Sequence, residues 1–299
     1  MTSSFSIKLI ALLWLSTTLF CTAQTAKDHL FMPKKQICLL SSIESMQWKT
    51  YWEGSLYRDN PNIGTHKRTA FHQMAAIGVT DRLNLLAHLP YVSTQNSAGN
   101  LIGQSGWQDV QAHLKYLISK GKNTQLIGII GGGLPTHQYN AEFQPMSIGA
   151  GCSFLTTRLV LTHSVQSFYA TGYSGFQRNG ISRLDRNAYL LGDQLIYSSR
   201  VQVPDIIDLG IKIGRYKKGF QAEIGAESFF CPTGDDIARN GMPALTNKRS
   251  GVYLHGFLRY QPKNLGVILA MNQTLTGRNN ARSTGLQTGI LYQFSTQKQ

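Results

Sequence analysis

Apolar and polar residues alternate with a period of two along most of this chain. In residues 82–92, Leu83, Leu85, Ala87, Leu89 and Tyr91 share one face. Arg82, Asn84 and His88 share the other, with Leu86 among them. Residues 108–116 repeat the pattern. Val110, Ala112, Leu114 and Tyr116, with Gln108 at the start, oppose Asp109, Gln111, His113 and Lys115. A helix would spread these charges round its circumference, whereas a strand sends successive side chains to opposite faces. Segments of this length match a tilted strand crossing a bilayer, which takes about 9–11 residues.

The pattern continues to the end of the chain. Phe220, Ala222, Ile224 and Ala226 oppose Gln221, Glu223 and Glu227. Val252, Leu254, Leu258 and Tyr260 oppose Tyr253, His255 and Arg259. Leu265, Val267, Leu269 and Met271 make another row. The last is Leu286, Thr288, Ile290, Tyr292 and Phe294, opposite Gln287, Gly289 and Gln293. Weaker strands are expected near residues 37–46, 68–79, 124–134, 146–155, 158–170, 189–201 and 207–216. Short turns at 79–81, 119–123 and 156–157 alternate with long loops at 93–107, 135–145, 171–188 and 232–249. Short turns at one end and long loops at the other is the layout of an outer-membrane barrel. The expectation is all-β: a single antiparallel transmembrane β-barrel of about twelve strands, or fourteen if 47–58 also crosses. One conflict of parity stands. Residues 216–219 and Pro204-Asp205 both suit tight turns one strand apart. They cannot share an end unless a strand is missed, and residues 171–188 are where it would fit.

Composition narrows the class. Charged residues are 15% of the chain, below the roughly 25% of soluble domains. Yet the mean hydropathy is −0.17, and beyond the N-terminus no apolar stretch approaches the ~18 residues of a spanning helix. The first residues differ from the rest. Lys8 precedes an apolar run from Leu9 to Phe20, and Cys21-Thr22-Ala23 offers small residues for cleavage. The expected organisation is a signal peptide at 1–23, an N-terminal extension at 24–35, the barrel at 36–294 and a C-terminal tail at 295–299. A lipoprotein would carry lipid on Cys21, but Phe20 stands where a small residue is wanted. The run ending at Phe294 has the alternating, aromatic-terminated form of a last barrel strand, which makes the barrel-assembly machinery an expected partner.

The net charge is +14. Three partners could answer it: nucleic acid, anionic lipid or anionic solutes. The Lys and Arg are scattered and no nucleic-acid motif occurs, so nucleic acid is not expected. Outer-membrane lipid, with its anionic glycolipid, fits better. An anion-favouring lumen and a simple excess in solvated loops are the other readings. Cys38, Cys152 and Cys231 remain after the signal segment, an odd number without CxxC spacing, which argues against both a disulfide framework and a zinc site.

Three runs carry a resemblance: Gly78-Val79-Thr80-Asp81-Arg82-Leu83-Asn84, then Leu89-Pro90-Tyr91-Val92, then Gln108-Asp109-Val110 leading to Leu114-Lys115-Tyr116. Tyr51-Trp52-Glu53-Gly54, Asn62-Ile63-Gly64, Gly234-Asp235-Asp236-Ile237 and Gly277-Arg278-Asn279 add to it. In order and spacing they resemble the outer-membrane family named after the MetA pathway of phenol degradation, over residues 38 to 294. The resemblance implies an outer-membrane β-barrel with a role in uptake of small compounds, aromatic ones among them. It brings no catalytic residues. Pro232-Thr233-Gly234-Asp235-Asp236 departs from that family's loop, so only the loop position carries over.

Chemistry-bearing motifs are absent: no HExxH, GxSxG, Walker loop or dinucleotide fingerprint. Gly131-Gly132-Gly133 is followed by Leu134-Pro135 rather than a helix start, so it reads as a strand-end kink and not a phosphate cradle. Asp235, Asp236 and Glu227 could make a calcium loop only if they converge; solvated carboxylates are the plainer reading. His163 and Ser167 share the apolar side, as in an outer-membrane lipid hydrolase. They stand roughly 13 Å apart along a strand, too far for proton transfer. No catalytic residue, cofactor or metal is therefore expected. If the polar faces point inward, Arg82, His88, Asp109, His113, Lys115, Lys212, Glu223, Glu227, His255 and Arg259 line the lumen. Such charges must pair or meet water, and about twelve strands leave a narrow interior. The expected function is porin-like passive transport of small solutes. The rivals are a non-conducting structural or adhesive barrel and a lipid hydrolase.

Overall fold

The computed structural model describes residues 25–296. The signal segment expected at 1–23 lies outside these residues. Twelve strands build the wall: β1 Gln36–Trp48, β2 His66–Gly78, β3 Leu83–Asn96, β4 Val110–Lys120, β5 Thr124–Leu134 and β6 Phe154–Val165. They continue with β7 Phe168–Asn179, β8 Ile206–Lys217, β9 Phe220–Phe230, β10 Ser250–Tyr260, β11 Leu265–Arg278 and β12 Thr284–Ser295. Each pairs antiparallel with its neighbour in the chain. β1 also pairs with β12, Leu40 facing Leu291, and this closes the barrel. Closure leaves no edge, which a lipid-exposed sheet cannot tolerate.

Tight turns follow β2, β4, β6, β8 and β10 at one end, where the wall also begins and finishes. Lys218 and Gly219 both have positive φ (49° and 79°), the geometry a two-residue hairpin needs to match strand twist. The other end carries the long loops. By the usual layout the tight turns are periplasmic and the loops extracellular.

β7 resolves the parity conflict. It begins in the expected strand 158–170 and runs on into the expected loop 171–188, because its outward Ala170, Gly172 and Ser174 are too small to show an apolar row. The tight turn sits at 166–167 instead of 156–157, and Pro204-Asp205 closes a long loop. Residues 146–155 cross only from Phe154. Residues 189–201 do not cross; Tyr189–Leu191 and Gln194–Ile196 pair as a loop hairpin. Residues 47–58 do not add strands either. Thr50–Glu53 pairs with Leu56–Asp59 above the wall, so the count stays at twelve. Gly131 and Gly133 are not a kink. They pair regularly with β4, and their missing side chains leave room for the rings of His113 and Phe154.

Outward positions along the wall are mostly apolar and exposed, for example Leu159, Ile211, Ile224, Val267 and Ile290. Outward Tyr116, Phe168, Phe220, Tyr260 and Tyr292 ring the tight-turn end. Tyr91 against Trp107 (ring centroids 5.4 Å) and Phe176 mark the loop end. An apolar belt between aromatic girdles is what a bilayer demands of a barrel.

Charge divides unevenly between the ends. The extracellular loops carry nine Lys or Arg and nine Asp or Glu. The periplasmic turns, with Lys34 and Lys35 immediately before β1, carry six cations in all (Arg82, Lys122, Lys218 and Lys263 being the others) against Asp81. The attraction expected toward outer-leaflet glycolipid thus finds no excess of cations in the loops.

Candidate permeation path

Period two sends the polar residues inward, and what they meet there is the chain's own start. Residues 25–35 run inside the barrel before turning into β1. Met32 is buried against Cys38, Leu40, Ala76, Leu86, Ile268 and Leu291. Phe31 and Ala26 pack on a second inward cluster, Leu117, Ile127, Ile129, Val160 and Tyr173. Gly78 permits this path, for a Cβ there would lie 1.9 Å from the Pro33 carbonyl oxygen. Burying each large apolar side chain contributes roughly 1.5–3 kcal/mol.

The polar faces hold the segment by charge. Lys115, fully buried, donates to Asp28 Oδ1 (2.7 Å) and to the Thr25 carbonyl (3.2 Å), with its ammonium 5.7 Å from the Phe31 ring. Lys27 donates to Glu227 (2.9 Å). Arg158 donates to the Ala26 carbonyl (2.9 Å) while forking onto Asp208 (2.8 and 3.0 Å). Gln125 donates to the His29 carbonyl (2.9 Å).

Most of the expected lumen residues are found here. Lys212 pairs with Glu227 (3.2 Å) and Glu223 (3.7 Å), and Tyr169 donates to Glu223 (3.0 Å). His255 Nε2 is 3.7 Å from Glu223, and Arg259 is buried over the Tyr216 ring (5.3 Å). His88 Nε2 is 3.0 Å from His72 Nδ1, whose Nε2 meets Glu44 (3.2 Å). His113 and Asp109 are buried, Asp109 accepting from Tyr139 (2.7 Å). Burial lifts the Asp109 carboxyl above its ordinary value, against the pull of that bond. Arg82 is the exception. It is exposed in the turn before β3, one residue beyond the strand whose alternation placed it inside. The acidic trio does not converge either. Glu227 sits in the lumen, whereas Asp236 meets Arg278 and Lys248 in the loops. Among the described residues, no group of three His, Cys, Asp or Glu could hold a metal ion.

Asp28, Arg158 and Asp208 escaped the sequence reading. Arg158 and Asp208 are inward in β6 and β8, on the same faces as Thr162 and Lys212, so alternation carried to the strand starts would have found them. Asp28 lies before the first strand, where no alternation could point to it.

Above the segment the lumen opens. An inner cavity of about 430 Å³ has Thr25, Ala26 and Lys27 as its floor and His88, His113 and Arg158 on its walls. A middle cavity of about 290 Å³ shares Gln108, Ala150, Val203 and Arg249 with it. An outer cavity of about 690 Å³ shares Gln144, Ile237, Pro243 and Leu245 with the middle one. Phe143, Tyr189, Leu190 and Met242 make its walls apolar. The three form a row from the extracellular loops to the N-terminal segment. Arg249 stands at the neck between inner and middle cavities. Among the described residues it has no carboxylate within 4.0 Å.

No family model and no curated protein matches this chain. Among solved structures, an outer membrane channel from Pseudomonas putida F1 aligns with a TM-score of 0.70 at 14% identity, covering 91% of this chain and 100% of the other. NanC porin (TM-score 0.49, 7% identity, 84% of this chain and 98% of the other) and a mutant of the TodX monoaromatic hydrocarbon channel (0.47, 9%, 88% and 91%) align more loosely and carry no weight. The fold is that of an outer-membrane channel. With its apolar belt and aromatic girdles, the chain is a β-barrel of the bacterial outer membrane.

Proposed function

We propose that this barrel admits small solutes passively, through the three joined cavities, and that the N-terminal segment closes them from the periplasm. The row of cavities that share walls carries the proposal. A structural barrel has no need of a lumen lined from loops to plug. Aromatic solutes suit the outer cavity, where Phe143 and Tyr189 offer flat apolar surface. The resemblance of residues 38–294 to the MetA-named family supports the same substrate class, and we extend the proposal to membership of that family. Cleavage after Ala23 belongs to it as well, since it would leave the new amino terminus at Gln24, next in sequence to Thr25 on the floor of the inner cavity. Recognition by the assembly machinery through β12 remains part of the reading, with Tyr292 stacked on Phe294 (5.9 Å) near its end.

The hydrolase alternative lacks its dyad. His163 Nδ1 is 2.9 Å from the Thr124 hydroxyl, while Ser167 accepts from Arg215 (3.4 Å). The test is single-channel conductance of the refolded full-length barrel in a planar bilayer under a potassium chloride gradient. Conductance steps with a reversal potential favouring chloride would support a solute path that passes Arg249. A folded, heat-modifiable barrel that stays silent, even when the plug contacts are removed, would leave the structural role standing.

A further inference from the structure

The lipid-facing wall near the periplasmic end is not evenly filled. A groove of about 810 Å³ lies across β6 to β12 on the outside. Pairing gives its layout. Arg215 faces Ala222 across β8 and β9, Ala222 faces Leu258, Ile224 faces Gly256, and Gly256 faces Met271. The small residues therefore follow a diagonal away from Arg215, spanning roughly 14 Å from β8 to β11 at the usual strand spacing. Ile213, Ile224, Leu258 and Met271 stand as its sides. A Cβ on Gly256 would meet nothing within 4 Å, so this part of the trough is open.

Arg215 faces outward from the barrel, two residues before Lys217 at the rim. It donates to Ser167 (3.4 Å) and lies over the Phe168 ring (5.3 Å), but no carboxylate pairs with it among the described residues. The nearby Glu223 is engaged with Tyr169 and Lys212 inside. A lipid-facing arginine keeps its charge only by reaching the head-group level. The periplasmic turns beside it carry Lys218 and Lys263 and no carboxylate, whereas the extracellular loops are balanced. An apolar trough leading from an unpaired guanidinium, inside a basic rim, has the complementarity of a lipid with an acyl chain and an anionic phosphate.

We propose that this wall binds one anionic phospholipid of the inner leaflet, its phosphate on Arg215 and an acyl chain along Ala222 and Gly256. The test is native mass spectrometry of the full-length barrel, released from micelles containing phosphatidylglycerol or phosphatidylcholine with identical chains. The wild type retains phosphatidylglycerol about fivefold over phosphatidylcholine, as expected for one cation near a head group. Arg215→Gln brings the two to equality. Gly256→Trp, which fills the trough from the lipid side, lowers retention of both. A heat-modifiable gel band shows that each variant is folded. Equal retention of both lipids by the wild type overturns the proposal. So does an Arg215→Gln variant that keeps the preference, or a Lys263→Gln variant that loses as much, since the binding would then be diffuse attraction to the rim.

Discussion

The two halves of the lumen are built from the same alternation and differ in what fills them. In the periplasmic half the inward positions include Leu86, Ile127, Ile129 and Val160, and the chain's own residues 25–33 occupy the space. Its charges are satisfied by partners in protein, Lys115 with Asp28 and Lys27 with Glu227. In the extracellular half, the His113 and Phe154 rings lie over glycines 131 and 133, and cavities remain beyond them. There Arg249, at the neck, has no carboxylate within 4.0 Å among the described residues. A barrel of this width can therefore be solid at one level and hollow at another, depending on whether a segment of chain is threaded through it.

Removing one partner of the fully buried Lys115–Asp28 pair should break this contrast most strongly. Lys115→Ala leaves Asp28 without its counter-charge in a dry setting, a cost of about 3–5 kcal/mol. That is roughly a hundred- to several-thousand-fold against the plugged state. Conductance steps should be far more frequent and longer than in the wild type, while the barrel keeps its heat-modifiable gel shift. A folded but silent Lys115→Ala would mean that residues 25–35 are not the closure.

Met32→Ala is expected to act in the same direction with less force. It removes a buried thioether from the Cys38–Leu40–Leu291 cluster and costs the plug about 2–3 kcal/mol. The fraction of time open should rise by less than in Lys115→Ala, measured in the same bilayers.

Arg249→Gln sharpens the comparison from the hollow side. It leaves the plug untouched and removes the exposed cation at the neck. In a Lys115→Ala background, the anion preference should fall about two- to fivefold, in keeping with a solvent-exposed charge. The reversal potential should move toward zero.

The smallest effect is expected in the loops that roof the outer cavity. Asp236 accepts from Arg278 (2.8 Å) and Asn279 (2.7 Å) and lies 3.4 Å from Lys248. The Arg278 bond chiefly draws its pKa from 3.8 down to about 2, against a small opposing effect of burial. A depressed carboxyl stabilises the loop above about pH 4, and that stabilisation is lost as the pH falls toward 2. Asp236→Asn should cost well under 1 kcal/mol in this exposed setting. Faster trypsin cleavage at Arg239 at neutral pH would report it, with the conductance of the Lys115→Ala channel unchanged.

Much of the wall was legible because a lipid-facing strand must alternate. β3, β4, β9, β10, β11 and β12 each show large outward apolar side chains and polar inward ones. β7 was hidden because Ala170, Gly172 and Ser174 present no such row, although they face the same way as Phe168 and Phe176. Which side chains of β3, β4, β8, β9 and β10 face inward followed from the same alternation. Arg82 was misplaced because alternation was extended into a turn, where the rule no longer holds. The partners of the inward charges were not legible at all. Nothing in the spacing of Lys115 and Asp28, 87 residues apart, brings them together.

By itself the sequence determined the class of fold, the bilayer as its solvent and the alternation that turns one face of each strand inward. These depend on local alternation and on the length needed to cross lipid, which neighbouring residues encode. Only the tertiary structure decided that residues 25–35 thread the lumen, which charges they satisfy, and where cavities are left. Those facts depend on closure of the wall, because a space inside a barrel exists only after the last strand has paired with the first.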